Sequence, residues 1–282
     1  MITHELIKIG SEYLKKNNIK SHIIDSEIIL SKVYGKPREN ILTNSDIKLS
    51  NYQIDTFYNL LSRRAINKEP LAYLFKEKEF WSNKLIVNSN VLIPRPETEL
   101  LVDQLIKYYR NCSPFILDVG TGSGCITISL LQELKKANAV AIDISHSALK
   151  VAKLNSKLHK THNRTKFINS SICNLNNMKF DLIVSNPPYI AKHQLKNLDD
   201  GIKYFEPKIA LDGGNDGLDV MRKVIYKSRK ILKINGMLAL EIGNGQYNKV
   251  SQILKFNKLR EKILLKDYKN NIRCILSVLN HY

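Results

Sequence analysis

Apolar residues in the first part of this chain recur at helical spacing. Every third or fourth position is apolar in two early stretches, a period that predicts amphipathic helices. These positions are Leu6, Ile9, Tyr13 and Leu14, followed by Ile24, Ile28 and Val33. A further amphipathic stretch runs from Tyr52 to Ile66, and Pro70 suits the first turn of another helix. Residues 1 to 76 are therefore expected to form a small helical domain.

The pattern changes after residue 76. Residues 77 to 94 include short apolar runs between Phe80 and Val91, which predict a hairpin or linker. From residue 95 to residue 282, apolar runs alternate with helical stretches, which predicts an α/β domain built on a mostly parallel sheet. The predicted strands are Phe115–Val119, Ala139–Asp143, Lys166–Ile168, Phe180–Ser185, Met237–Ile242, Ile263–Lys266 and Ile272–Val278.

The segment Asn186-Pro187-Pro188-Tyr189 directly follows a predicted strand. Proline lacks a backbone N–H and fixes φ, so the strand ends there and the backbone is stiff. The Asn186 side-chain oxygen and the Pro187 carbonyl are two acceptors that can hold both hydrogens of one NH2 group. The Tyr189 ring can stack on the planar group that carries it. This chemistry suits an amide or amino nitrogen that acts as a nucleophile.

A glycine-rich turn follows an earlier strand. The run Gly120-Thr121-Gly122-Ser123-Gly124 stands between the strand ending at Val119 and a helical stretch. Glycine allows tight turns and a close approach of backbone to a ligand. The next strand ends in Asp143, 143 − 120 = 23 residues after the first glycine, where a carboxylate suits the two hydroxyls of a ribose. Because the spacing of the dinucleotide fingerprint is missing, a nucleoside without a pyrophosphate is the expected ligand.

Together these segments resemble the release factor glutamine methyltransferases, which belong to the class I S-adenosylmethionine-dependent methyltransferases. Several flanking segments narrow the resemblance to this subgroup. They are Glu69–Tyr73, Glu79–Trp81, the run from Leu92 through Pro94-Arg95-Pro96-Glu97-Thr98-Glu99 to Val102, Phe205–Pro207, Asp216–Asp219 and Leu240–Gly243. The resemblance is close over residues 69 to 282 and loose before them.

The resemblance implies a fold, a cofactor and a substrate. The fold is a Rossmann-like class I methyltransferase domain with a mostly parallel seven-stranded sheet, and the helical residues 1 to 76 would dock the protein substrate. The enzyme would transfer a methyl group from S-adenosyl-L-methionine to the glutamine amide nitrogen in the Gly-Gly-Gln motif of peptide chain release factors. The last two predicted strands would form the antiparallel pair that ends many such sheets.

Site residues follow from the motifs and the resemblance. The catalytic residues are expected to be Asn186, Pro187 and Tyr189, and Asn186 through Tyr189 would hold the substrate. The expected cofactor-binding residues are Gly120, Thr121, Gly122, Ser123, Gly124, Asp143, Ile172 and Asn186. Where the family usually has an acid followed by an aromatic near the adenine, this chain has Ser171 and Ile172. Ile172 is expected to cover the adenine as an apolar lid.

Two other functions compete with this hypothesis. A DNA adenine-N6 methyltransferase would use the same Asn-Pro-Pro-Tyr acceptors on a flipped adenine. The chain shows no recognisable target-recognition domain, and its Pro-Arg-Pro-Glu-Thr-Glu segment favours the glutamine substrate. A basic RNA-binding module without catalysis is the third possibility, and the intact glycine turn, Asp143 and Asn186 argue against it.

Charge and composition limit the partners and the location expected for this protein. The chain of 282 residues carries a formal net charge of +18. Lys150, Lys153, Lys157 and Lys160 share one helical face that attracts polyanions or is simply solvated. Direct nucleic-acid binding is not required by the hypothesis, and no metal is expected. The scattered cysteines and the lack of a long apolar run or an apolar signal-type segment predict a cytoplasmic, non-membrane protein, expected to be a monomer.

Overall fold

The computed structural model describes residues 1–44, 46–176 and 178–279. The chain divides into two compact units. One comprises Met1–Lys76 together with Asp199–Phe205, and the other comprises Glu77–Leu198 and Glu206–Tyr282. In the part of the chain that is described, no helix is long and apolar enough to cross a membrane.

The helices are distributed over both units. In chain order they are α1 (Thr3–Lys16), α2 (His22–Tyr34), α3 (Arg38–Thr43), α4 (Asn51–Ile66), α5 (Leu71–Phe75), α6 (Pro96–Tyr109), α7 (Cys125–Glu133), α8 (His146–Leu158), α9 (Asp200–Lys203), α10 (Asp219–Ile231) and α11 (Tyr247–Phe256). Several begin at residues that favour helix starts. Ser50 caps α4 by accepting from the Gln53 N–H, Ser145 caps α8 by accepting from the Ala148 N–H, and Pro96 begins α6.

The N-terminal unit packs α1, α2 and α4 around one apolar core. Leu6, Leu14, Leu30 and Phe57 are fully buried there. Gly10 allows α1 to approach its neighbours closely, because a Cβ at this position would lie 2.7 Å from the Cζ atom of Phe57. Close packing of three helices therefore depends on a residue that carries no side chain.

The stretches with helical spacing form helices α1 and α2, but two of the apolar residues in those patterns lie outside the core. Ile9 is 38% exposed and Ile24 is 49% exposed. In α2 the buried side chains include Ile29 and Leu30 and also the acidic Asp25, which pairs with Arg64 of α4 at 2.7 Å. The buried face of α2 therefore includes a carboxylate paired with Arg64 as well as apolar side chains.

The second unit holds a two-stranded hairpin and a seven-stranded sheet. The strands are β1 (Glu77–Phe80), β2 (Asn83–Ile86), β3 (Phe115–Val119), β4 (Asn138–Asp143), β5 (Thr165–Asn169), β6 (Phe180–Ser185), β7 (Leu232–Glu241), β8 (Leu259–Lys266) and β9 (Ile272–Leu279). Strands β1 and β2 pair antiparallel as the hairpin. The large sheet has the order β5-β4-β3-β6-β7-β9-β8, with β9 antiparallel to both β7 and β8. The predicted mostly parallel sheet and its antiparallel end are confirmed.

Side chains alternate between the two faces of this sheet. On one face Ile116, Leu182 and Ala239 pack with α6 and α7. On the other face Leu117, Ile183 and Leu238 pack with α10 and α11. Helices thus cover both faces, which explains why the central strands read as continuous apolar runs.

Strands β7 and β8 begin well before their predicted starts, for different reasons. β7 begins five residues before the predicted Met237, and its first part is interrupted by Asn235, which has a positive φ of 59°. β8 begins at Leu259, and its burial alternates along the strand because it forms the edge of the sheet. Charged residues on such an edge strand hide its apolar pattern.

Candidate active site

A cavity of about 530 Å³ opens at the carboxyl ends of β3, β4 and β6. These three strands are neighbours in the parallel part of the sheet, with β3 between the other two. Their carboxyl ends therefore bring the residues that follow them to one edge, where open α/β sheets bind ligands. The predicted residues among its lining are Gly120, Thr121, Gly122, Ser123, Asp143, Ile172, Asn186, Pro187 and Pro188.

The glycine turn shapes the cavity by its backbone. Gly120 has a φ of +72°, a conformation that glycine adopts without steric cost. The N–H groups of Gly120 and Thr121 both donate to the Ile142 carbonyl, at 2.9 and 3.0 Å, and the Gly124 N–H donates to the Thr121 carbonyl at 2.8 Å. Because these donors bond within the protein, the turn offers shape and not a cluster of phosphate-binding N–H groups.

Asp143 connects the end of β4 to the glycine turn. One carboxylate oxygen accepts from the Gly122 N–H at 2.9 Å and the other accepts from the Ser145 N–H at 2.8 Å. Burial raises the pKa of this carboxyl, and the backbone N–H groups oppose that shift. Each oxygen has a second lone pair, so the carboxylate can also accept from a ligand in the cavity.

The Asn186 side chain is oriented by hydrogen bonds that run through Thr98 to the buried Glu241. Its Nδ2 atom donates to Thr98 Oγ1 at 3.1 Å, and Thr98 Oγ1 donates to Glu241 Oε2 at 2.5 Å. Thr98 is 2% exposed and Glu241 is fully buried. Asn186 lines the cavity, so with its nitrogen directed at Thr98 its Oδ1 atom is the acceptor left for a bound group.

Tyr189 lines a neighbouring cavity of about 540 Å³ with Gly243 and Gln246. Its hydroxyl donates to Glu241 Oε1 at 3.4 Å and accepts from Arg273 at 3.3 Å. Burial raises the pKa of this phenol. The Tyr189 backbone carbonyl accepts from Gln246 Nε2 at 2.9 Å, so this loop is held at both its side chain and its backbone. Its stacking on the substrate amide stays a prediction.

Gly124 has a packing role at the start of α7. Its φ is +84°, and a Cβ there would lie 3.1 Å from Ile128 Cδ1 and 3.4 Å from the Cβ of Ala152 in α8. The first glycines of the turn face the cavity, whereas this one lets two helices approach. Its assignment to cofactor binding remains a prediction, which would act through the shape of the turn.

Several contacts of the site were not indicated by any motif taken alone. Arg95 lines the cavity and pairs with Glu206 at 2.6 Å, and the same carboxylate accepts from the Ile93 N–H at 3.3 Å. Buried Asn155 of α8 donates to the Ser123 carbonyl at 2.9 Å and so supports the glycine turn. The flanking segments that include Arg95, Thr98, Glu206 and Glu241 carried the family resemblance, and that resemblance was the available signal for them.

Comparisons with known proteins show which family the chain resembles. A family model described as PrmC N-terminal domain matches residues 5–75, and one described as Methyltransferase small domain matches residues 96–200. Release factor glutamine methyltransferase of Clostridium acetobutylicum is 36% identical over 98% of this chain and 98% of its own length. The enzyme of the same name from Caulobacter vibrioides is 36% identical over 96% of this chain and 94% of its own length.

Other relatives are longer. A protein named bifunctional methyltransferase from Rickettsia felis is 37% identical over 96% of this chain, and the chain spans 57% of its length. Two more of that name, from Rickettsia typhi and Rickettsia conorii, are spanned over 52% and 57% of their lengths.

Solved structures show the same fold. A methyltransferase from Pyrococcus furiosus superposes with a TM-score of 0.53 at 15% identity, over 83% of this chain and 100% of that one. A ribosomal protein L11 methylase from Lactobacillus delbrueckii superposes with a TM-score of 0.51 at 21% identity, over 67% of this chain and 81% of that one. Together with the methyltransferase family model and the two relatives matched over nearly their whole length, this fold defines a class I methyltransferase. Within that class, the chain belongs to the release factor glutamine methyltransferase family.

S-adenosylmethionine is the cofactor of this class, and the cavity fits it. The Asp143 carboxylate would accept from ribose hydroxyls, and Ile144 and Ile172 offer apolar surface that would suit a flat base. The internally bonded N–H groups of the glycine turn agree with a ligand that has no phosphate. A volume of about 530 Å³ lies within the range of roughly 300–1,000 Å³ that small-molecule sites occupy.

We predict that Asp143→Ala weakens S-adenosylmethionine binding about tenfold or more. The change removes an acceptor for the ribose and releases the Gly122 N–H, and a hydrogen bond to a charged group contributes roughly 1.5–3 kcal/mol. Titration calorimetry measures the affinity directly. Asp103→Ala, which removes an exposed carboxylate paired with Lys107 on α6, is the control and should leave the affinity unchanged. Equal affinities for wild type and Asp143→Ala would contradict the assignment.

Proposed function

We propose that this protein methylates the side-chain amide nitrogen of the glutamine in the Gly-Gly-Gln motif of peptide chain release factors, using S-adenosyl-L-methionine. One observation carries the proposal. Thr98 and Glu241 hold the Asn186 side-chain nitrogen, which leaves the Asn186 oxygen as an acceptor in the cofactor cavity. The full-length relatives named release factor glutamine methyltransferase support the same substrate.

The substrate poses a chemical problem that these acceptors address. The lone pair of a carboxamide nitrogen is delocalised, so the nitrogen is a poor nucleophile. Asn186 Oδ1 and the Pro187 carbonyl would accept its two hydrogens and raise the electron density on the nitrogen. The same acceptors would stabilise the positive charge that develops there during transfer. Holding the nitrogen in line with the methyl carbon supplies much of the remaining acceleration.

The remaining steps require little from the protein. Bound S-adenosylmethionine supplies an electrophilic methyl group on a sulfonium. As the new nitrogen–carbon bond forms, the methyl carbon–sulfur bond would break and leave its electron pair on a neutral thioether. The extra proton on the nitrogen would then leave to water. Asp143, the glycine turn and Ile172 would hold the nucleoside end of the cofactor, while Pro188 and Tyr189 would support the loop that presents Asn186.

The proposal also covers how the release factor docks, where the enzyme acts and whether it is a monomer. We infer that the N-terminal unit, which contains the stretch matched by the PrmC N-terminal model, docks the release factor. The enzyme would act in the cytoplasm as a monomer and would not need to bind nucleic acid directly. DNA adenine-N6 methylation uses similar acceptors, but the full-length relatives that carry a substrate in their names favour the glutamine.

Transfer of a radiolabelled methyl group from S-adenosylmethionine tests the function. A release factor, its variant with Ala in place of the motif glutamine, and duplex DNA containing adenine are offered in parallel. We expect label on the intact factor alone. Label on DNA alone would replace the proposal with the nucleic-acid activity, and equal label on both factors would exclude the motif glutamine as the acceptor.

Asn186→Ala should lower kcat on the order of 100-fold while S-adenosylmethionine still binds. Loss of a single preorganised group that stabilises transition-state charge has an effect of that order. Asn248→Ala, at an exposed position in α11, is the matched control and should keep the wild-type kcat. A near-normal kcat in the Asn186 variant would contradict the mechanism.

Hydrogen exchange on the intact protein tests the docking role. In the Asn186→Ala variant without S-adenosylmethionine, so that no methyl transfer occurs, adding a whole release factor should slow amide exchange within residues 1–76. A short peptide that carries only the Gly-Gly-Gln loop should leave those amides unchanged. If the factor protects no amide in residues 1–76, the docking role is wrong.

A further inference from the structure

We propose that Glu241 is a positioning residue for the transfer step: acting through Thr98, it sets which end of the Asn186 amide faces the cavity. This proposal rests on the proposed function. Glu241 ends β7, Thr98 lies in the first turn of α6, and Asn186 follows β6. The three side chains form a continuous chain of hydrogen bonds, with Glu241 at its buried end.

The number of hydrogens on each group fixes which group donates and which accepts in these hydrogen bonds. An ionised carboxylate only accepts hydrogen bonds, and a threonine hydroxyl has one hydrogen. That hydrogen goes to Glu241, so the Thr98 oxygen can only accept from Asn186. The Asn186 amide must then direct its NH2 group at Thr98 and its oxygen away from it. The carboxylate thus selects the orientation that leaves Oδ1 as the acceptor for the substrate.

A neutral group at position 241 removes this selection. If the group there donates to Thr98, the threonine hydrogen is free to donate to Asn186 Oδ1. The Asn186 side-chain amide then rotates and directs its NH2 group towards the cavity. Two NH2 groups facing each other cannot form the hydrogen bond that the transfer requires, so the reversed orientation does not hold the substrate nitrogen.

The surroundings of Glu241 put this selection under the control of pH. Burial raises the pKa of the Glu241 carboxyl to about 7, although the Thr98 hydroxyl and the Arg273 guanidinium favour the carboxylate. The titratable and charged groups that face Glu241 are Glu97 from α6, Cys125 from α7, Tyr189 after β6, and Arg273 and Cys274 from β9. Arg273 is the cation in this set, and its nitrogen lies 4.0 Å from Glu241 Oε1.

The direction in which kcat changes with pH depends on which protonation state of Glu241 directs the Asn186 oxygen to the cavity. The carboxylate directs the Asn186 oxygen to the cavity and the neutral acid does not, so kcat falls as the pH is lowered through the Glu241 ionisation. Glu241 lies outside the set of residues that line the cavity. Protonation of Glu241 should therefore leave cofactor affinity unchanged, so the wild type and Glu241→Gln should bind the cofactor equally at each pH.

The pH dependence of kcat on a release factor is the test, with S-adenosylmethionine affinity measured at each pH. Glu241→Gln should lower kcat at pH 8 roughly tenfold or more and abolish the acidic limb, since it removes a charged acceptor. Cofactor affinity should not change, because Glu241 does not line the cavity. Glu133→Gln, the same change at an exposed position of α7, is the control and should keep the wild-type profile.

Variants of Thr98, the middle member of the hydrogen-bonded series from Glu241 to Asn186, provide a second test. Thr98→Val is nearly isosteric and removes the hydroxyl, so it should lower kcat as Glu241→Gln does. Combining the two changes should cost little more than either alone, because both interrupt one path. Thr98→Ser keeps the hydroxyl and should restore most of kcat. This pair carries the test if Glu241→Gln does not fold.

A readout without substrate separates this proposal from the proposed function. In nitrogen-15 spectra of the wild type, the Asn186 side-chain NH2 resonance, assigned by its loss in Asn186→Ala, should shift with pH in step with the acidic limb. It should not shift in Glu241→Gln. If the wild type fails to methylate a release factor, the proposed function fails while this titration still decides the positioning role. An acidic limb that persists in Glu241→Gln, or an Asn186 resonance insensitive to pH in the wild type, overturns the proposal.

Discussion

The parallel pairing of β3 with β4 on one side and β6 on the other is the constraint on which the site depends. Val119 pairs with Ile142 and with Ser185, so three strands end at nearly the same level. The chain must leave the sheet at this level three times, which places the glycine turn, Asp143 and Asn186 around one opening. Apolar packing on both faces makes that register costly to change, since a shift by one residue would turn each side chain to the opposite face.

Within that frame, the site is ordered by hydrogen bonds among its own residues. The glycine turn is bonded to β4 and supported by Asn155, Asp143 is bonded to the turn, and Asn186 is bonded to Thr98. A site organised in this way before ligands arrive does not have to order them at the moment of reaction, which is the physical basis of preorganised catalysis. Asp143 and Glu241 are carboxylates within this arrangement, and burial raises the pKa of both, so pH acts on the cofactor side of the site and on the chain of hydrogen bonds behind Asn186.

Sequence reasoning recovered the features that short segments encode. Asn186 and Asp143 stand directly after apolar runs, so their place at strand ends followed from the pattern, and the structure gathers both at one cavity. The contact of Thr98 with Glu241 joins residues 143 positions apart, and no local pattern indicates it. Ile9 stands at helical spacing in α1, yet its side chain is exposed. Periodicity identifies a helix more securely than it identifies which face is buried.

The central claim is that the Asn186 oxygen holds the substrate nitrogen while Thr98 holds the Asn186 nitrogen. A crystal structure with a Gly-Gly-Gln peptide and the demethylated cofactor product tests it most directly. The account predicts the glutamine nitrogen within roughly 2.7–3.2 Å of both Asn186 Oδ1 and the Pro187 carbonyl oxygen. A glutamine amide bound elsewhere in the cavity, or an Asn186 side chain released from Thr98, would contradict it.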